Sequence, residues 1–363
     1  MDVCLSPNGQ TTYASAAPVD RLFVGTVDGV HVLDRSANGA WISSRYGLDN
    51  VHVGSLLPIE DGKLFAGAHS GGLFLSNGSL QWNKTMGGID AKYTQVYTLA
   101  AQQRTTGLVL WAGMEPAALF RSDDLGNTWR ELPSLTNVPD TDKWFFPPPP
   151  HIAHVKHIAF HPNDETTLYV CIEQGALLKS TDDGRTWREL SEYSRVDDPV
   201  YRDMHRITIT PSRPERIFLT GGNGLYASTD AGETWKHLLS KKDRLGYPDQ
   251  FFLDPNDENT LYIAGAASAP PSWRETHDGK PGILRSRDGG ATWTELTAGV
   301  PAKIRGNIEA MTLCHGPHGV ELFGGTATGE VFASHDGGNT WEMLVTNIPP
   351  VSKGNHHLPF VAA

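Results

Sequence analysis

Ser122-Asp123-Asp124-Leu125-Gly126-Asn127-Thr128-Trp129 is the stretch that decides the fold. Its pattern, Ser-x-Asp-x-Gly-x-Thr-Trp, returns at Ser180 to Trp187, Ser228 to Trp235, Ser286 to Trp293 and Ser334 to Trp341. In each copy the Asp side chain can accept backbone N–H bonds across a tight turn, the Gly supplies a positive φ, and the Trp offers a large ring to pack between sheets. Two weaker copies come first, Ser76-Asn77-Gly78 before Trp82 and Ser36-Ala37-Asn38-Gly39 before Trp41. The repeat tryptophans therefore stand at 41, 82, 129, 187, 235, 293 and 341, a spacing that suits four strands per unit. The expected fold is all-β: a seven-bladed β-propeller of four-stranded antiparallel blades, one domain over residues 1–363.

Strand patterns fill in the blades. Runs such as Leu64-Phe65-Ala66-Gly67 and Leu168-Tyr169-Val170-Cys171 read as second strands, and His157-Ile158-Ala159-Phe160, Arg206-Ile207-Thr208-Ile209 and Gln250-Phe251-Phe252-Leu253 as innermost ones. The tail, Asn355 to Val361, reads as a further strand closing the ring against the first blade, since closure removes exposed sheet edges.

Composition narrows the function. With 30 basic against 41 acidic residues and a net charge of -11, the chain has no means of displacing counterions from a phosphate backbone, so nucleic acid is excluded as a partner. Cys4, Cys171 and Cys314 are too few and too scattered for a disulfide framework and read as reduced, buried thiols. No run of about 18 apolar residues and no basic, apolar leader is present, so the expectation is a cytoplasmic protein without membrane contact.

The repeated turns resemble the BNR/Asp-box of sialidases, sortilin-type receptor propellers and photosystem assembly factors. The Leu-Tyr-x-Ser-x-Asp rhythm is similar to that of bacterial BNR-repeat proteins of glycosyl hydrolase-like type. The resemblance covers the whole chain and implies a propeller, but such repeats serve enzymes and scaffolds alike. It does not imply sialidase activity: the Phe/Tyr-Arg-Ile-Pro motif is missing, and Arg21 and Arg35 do not stand in such a setting.

In a four-stranded blade the Asp turns share a face with the first-to-second strand turns. The long connections (131–156, 190–205, 240–249, 265–281 and 297–308) belong to the opposite face, where function is expected. The richest is Lys143 to His157, whose four prolines stiffen the delivery of aromatic rings and histidines. Tyr201 to Arg206 follows at the same level. Candidate acid and base groups there are Glu309, Asp203, Glu115 and Glu173; candidate substrate contacts are Trp144, Tyr97, Arg206 and Asp249. Imidazoles from separate blades, His52, His154, His157 and His205, are candidate ligands for a divalent zinc, iron or manganese ion. Three readings stay open: a metal centre, acid–base hydrolysis or elimination of a small polar or sugar-like substrate, and a rim around a water-filled channel that docks a protein or peptide.

Overall fold

The computed structural model describes residues 2–190, 202–299 and 304–361. Seven sheets form the ring, and the expected seven-bladed propeller is observed. Their innermost strands are Val3–Leu5, Val53–Pro58, Gln95–Arg104, His154–Phe160, Met204–Thr210, Tyr247–Asp254 and Ile308–Gly316. The fully antiparallel expectation is corrected at the seam. Val3–Leu5 lies parallel to Arg21–Thr26, and Thr12–Ala14 adds a fifth, parallel strand to Ile308–Gly316 in the last blade.

The tail expectation is also corrected. Because Val3–Leu5 already fills the inner edge of the first blade, no edge is left for the C-terminal segment. Residues Asn355–His357 and Leu358–Val361 are helical, and Phe360 packs on Trp273, which is fully buried on the short helix Pro270–Thr276.

The repeated turns carry one hydrogen-bond set in all five strict copies. At Ser180 to Trp187, the Gly184 N–H donates to Ser180 Oγ at 2.9 Å; Asp182 accepts the Thr186 N–H at 2.9 Å and its hydroxyl at 2.6 Å. The counterparts are centred on Asp124, Asp230, Asp288 and Asp336. Glycine is required in these turns for two reasons. Gly232 has φ +95°, and a Cβ there would stand 2.7 Å from Leu190 Cδ1 of the preceding blade.

Hydrogen bonds from the threonine hydroxyl and N–H hold the carboxyls of Asp182, Asp230 and Asp288 down at about 2, against an ordinary 3.8. A folded-state pKa below the unfolded one contributes stability that is complete above the unfolded value and vanishes as pH falls through the folded one. The urea midpoint of unfolding should therefore drop most steeply between about pH 4 and pH 2. A midpoint that stays level across that interval would mean the turns contribute nothing.

The channel is not an open tube. Between Val3–Leu5 and Thr12–Ala14 the chain crosses it: the Asn8 and Gln10 N–H groups bond to Gly54 and Leu56 carbonyls, Thr98 donates to Asn8 O, and Arg206 and Gln250 donate to Pro7 O. This crossing leaves a cavity of about 550 Å³ on the Asp-turn side, lined by His157, Arg206, Thr208 and Phe251 among others. On the other side lies a set of buried ionisable groups.

Candidate functional site

Blades 2 to 7 share a device that the alternation of side chains does not announce. Pairing between first and second strands slips by one residue in each, leaving Gly54, Tyr97, Lys156, His205, Asp249 and Glu309 without an opposite partner. A bulge of this kind re-aims one side chain. Repeated around the ring, it brings five long side chains to one level, where contacts from different blades meet. The residues two positions earlier include His154 and Asp203, and the ends of second strands contribute Glu115 and Glu173.

Glu173 is the hub. One carboxylate oxygen, Oε2, lies 2.6 Å from His154 Nε2 and 3.3 Å from Lys156 Nζ; the other, Oε1, is 3.7 Å from His205 Nε2 and 3.8 Å from Lys353 Nζ. His154 Nδ1 is 3.1 Å from Glu115, and His205 Nε2 is 3.5 Å from Asp203. Carboxylates and imidazoles thus alternate across three blades: Glu115, His154, Glu173, His205, Asp203. Beside them, Lys353 is ion-paired with Asp249, and its N–H donates at 2.7 Å to Glu309, whose other oxygen is 2.9 Å from His356 Nδ1. Glu173 and His205 are sealed in. Asp203 and Glu115, at 9% and 11% side-chain exposure, are the less buried ends.

The electrostatics follow from burial. Desolvation alone would push the Glu173 carboxyl up, but Lys156, Lys353 and His154 outweigh it and hold it well below the usual carboxylate range. Burial would likewise strip the His154 proton, yet its bonds to Glu115 and Glu173 raise its pKa. For Lys156, burial wins and lowers the ammonium to about 8. Asp249, facing Lys353, is held at about 2 despite its burial.

The face is the expected one. Trp144 lies over Gly175, and the Phe145 N–H donates to Gln174 O, which sets the proline-rich connection beside a second-to-third strand turn. All four candidate acids, Glu309, Asp203, Glu115 and Glu173, fall in the cluster, as does Asp249. Tyr201 and the connections around 191–201 and 300–303 lie outside the described residues.

Several expectations are corrected. Tyr97 is buried, stacked on His154 at 3.6 Å, with its hydroxyl donating to Lys353 O, so it supports the cluster from within rather than meeting a substrate. Arg206 is not on the rim: it lies beneath the crossing segment, donating to Pro7 O and to His157 Nε2 at 2.8 Å. The four histidines do not converge. His157 faces Arg206, and His154 is taken at both nitrogens by carboxylates. His52 bonds to Ser352 O at 2.7 Å, leaving His205, whose Nε2 stands 3.5 Å from Asp203 and 3.7 Å from Glu173. Lys156 and Lys353 were missed as functional groups. Lys156 shares the slipped position with His205 and Asp249, a signal visible on aligning the repeats; Lys353 has no repeat to betray it.

No protein-family model matches the chain. Half of it is similar to xyloglucanase Xgh74A of Acetivibrio thermocellus, 30% identical over a 207-residue alignment that covers 49% of this chain and 24% of the relative. A similar share resembles the photosystem II assembly protein Ycf48 of Thermosynechococcus vestitus, 24% identical over 181 residues, 49% of this chain and 41% of that one. The chain therefore spans less than half the length of either relative. Among solved structures, an ancestral GH74 enzyme superposes with a TM-score of 0.60 at 15% identity, covering 82% of this chain and 39% of the other, which is a likeness of fold.

Proposed function

We propose that the chain is a hydrolase acting on a carbohydrate-like substrate at the upper end of the channel, with the Glu115–His154–Glu173–His205–Asp203 series as its reaction centre. One observation carries the reading: carboxylates and imidazoles alternate across three blades at 2.6 to 3.7 Å, with a fully buried middle and with Asp203 and Glu115 the less buried ends. Hydrolysis of a glycoside needs a base for the water and an acid for the leaving oxygen. The Asp203 end receives the proton of the water that adds to the anomeric carbon. At the other end the proton of His154 Nδ1 passes through the Glu115 carboxylate to the departing oxygen as the C–O bond breaks. Exchange with solvent at the two ends restores both groups between turnovers. The relatives named xyloglucanases support a sugar substrate.

The test is turnover of xyloglucan oligosaccharides and a panel of aryl glycosides. Glu115→Gln keeps the shape and removes the acid, so kcat should fall by about 100- to 10,000-fold with KM little changed. Turnover of no panel member, or an undiminished variant, would overturn the reading.

A second reading, peptide docking, is favoured by Phe145. This ring is 55% exposed and stacked on His151 at 4.7 Å within the proline-rich connection. Under that reading Phe145→Ala, and not Glu115→Gln, is the variant that loses function.

A further inference from the structure

We infer that Glu173, Asp203 and His205 form a three-ligand site for one divalent transition cation, zinc or manganese, at the Asp203 end of this centre. The inference deepens the hydrolytic reading, since such a cation would hold the attacking water.

Five observations carry it. One ligand atom from each of the three residues lies within 4.8 Å of the others, and all three residues are buried. The His205 Nε2 separations from Asp203 and Glu173 are 3.5 and 3.7 Å, too long for hydrogen bonds of ordinary strength. They match two ligand atoms sharing an ion, because bonds of about 2.1 Å at a tetrahedral angle put their ends about 3.4 Å apart.

His205 Nε2 is fully buried and has no hydrogen-bond partner. The opposite ring nitrogen is committed. Nδ1 is 2.7 Å from Pro248 O, and a carbonyl only accepts, so the proton is on Nδ1 and Nε2 is turned to the carboxylates. A backbone carbonyl fixing the far nitrogen is the usual support of a metal-bound histidine.

Glu173 divides its oxygens in the way a ligand requires. Oε2 is engaged by His154 and Lys156, and Oε1 has no partner closer than 3.7 Å. Charge points the same way. Glu115, Glu173, Asp203, Asp249 and Glu309 bring five carboxylates together against the two lysines, Lys156 and Lys353, and the histidines among them. A dry cluster favours a compensating cation. One imidazole and two carboxylates suit zinc or manganese, and three protein ligands leave a position open for water.

The test is calorimetric titration of the chelator-treated full chain with zinc chloride and, separately, manganese chloride. The expected result is a 1:1 site for one of the two that is weakened at least 100-fold in His205→Gln. Asp203→Asn, at the outer side of the cluster, should weaken it similarly while the metal-free protein melts as the parent does; this variant decides the matter if His205→Gln does not fold. Absence of a 1:1 site, or unchanged binding in Asp203→Asn, would overturn the inference. Binding is read without turnover, so failure here leaves the acid–base reading standing, and an inactive protein that binds the ion leaves this one standing.

Discussion

Glu173→Gln should cost the fold about 3–5 kcal/mol, among the largest effects of any single substitution in this chain. The side chain keeps its volume, so no cavity opens. What changes is charge: Lys156, Lys353 and His154 lose the carboxylate they share, at 3.3, 3.8 and 2.6 Å, in a place without solvent. Removing one partner of a buried ionic set leaves the others uncompensated, which costs far more than removing the whole set. The penalty should ease as pH rises, because Lys156, already down to about 8, can shed its proton. Pairing the change with Lys156→Met should recover part of the loss, and a double-mutant cycle in urea measures how much. A Glu173→Gln protein within about 1 kcal/mol of the parent would mean that water enters the cluster freely.

Deleting residues 2–11 should have an effect of similar or greater size. The segment supplies the inner strand of the first blade, with Val3, Cys4 and Leu5 paired to Leu22, Phe23 and Val24. Its loss exposes an unpaired sheet edge along the channel. The loss also removes the crossing at Pro7 and Asn8, so Arg206 and Gln250 lose the acceptor they share, Pro7 O. The expected outcome is a chain that aggregates or melts without a cooperative transition, restored in part by a synthetic peptide of residues 2–11 added in trans. Cooperative melting near the parent temperature would show the segment to be an accessory.

These effects concern features of unequal visibility in the sequence. Seven recurring tryptophans, with a turn motif whose Ser, Asp, Gly and Thr each have a hydrogen-bonding or conformational duty, make the ring and its two faces readable in advance. The acids of the site were readable too, because strand starts and second-strand ends must open on the face with the long connections. The histidines were not. Spacing alone sends His151, His154 and His157 to alternate sides, but the slip at Lys156 comes between the last two and shifts the register. His151 ends exposed, His154 between carboxylates, and His157 against Arg206. Alternation cannot reveal a bulge; only the comparison of Val-Tyr-Thr-Leu, Val-Lys-His-Ile, Met-His-Arg-Ile and Ile-Glu-Ala-Met across blades does so. The crossing segment was invisible for another reason: residues 6–11 belong to no repeat, and their partners, Thr98, Arg206 and Gln250, lie far away in sequence.

Soaking crystals of the protein with a xyloglucan oligosaccharide tests the central claim most directly, because it locates the substrate without presuming the chemistry. The account predicts a sugar ring at the upper opening, with its glycosidic oxygen toward Glu115 and Asp203. Sugar found instead in the cavity beside Arg206, or along the outer strands away from the channel, would contradict it.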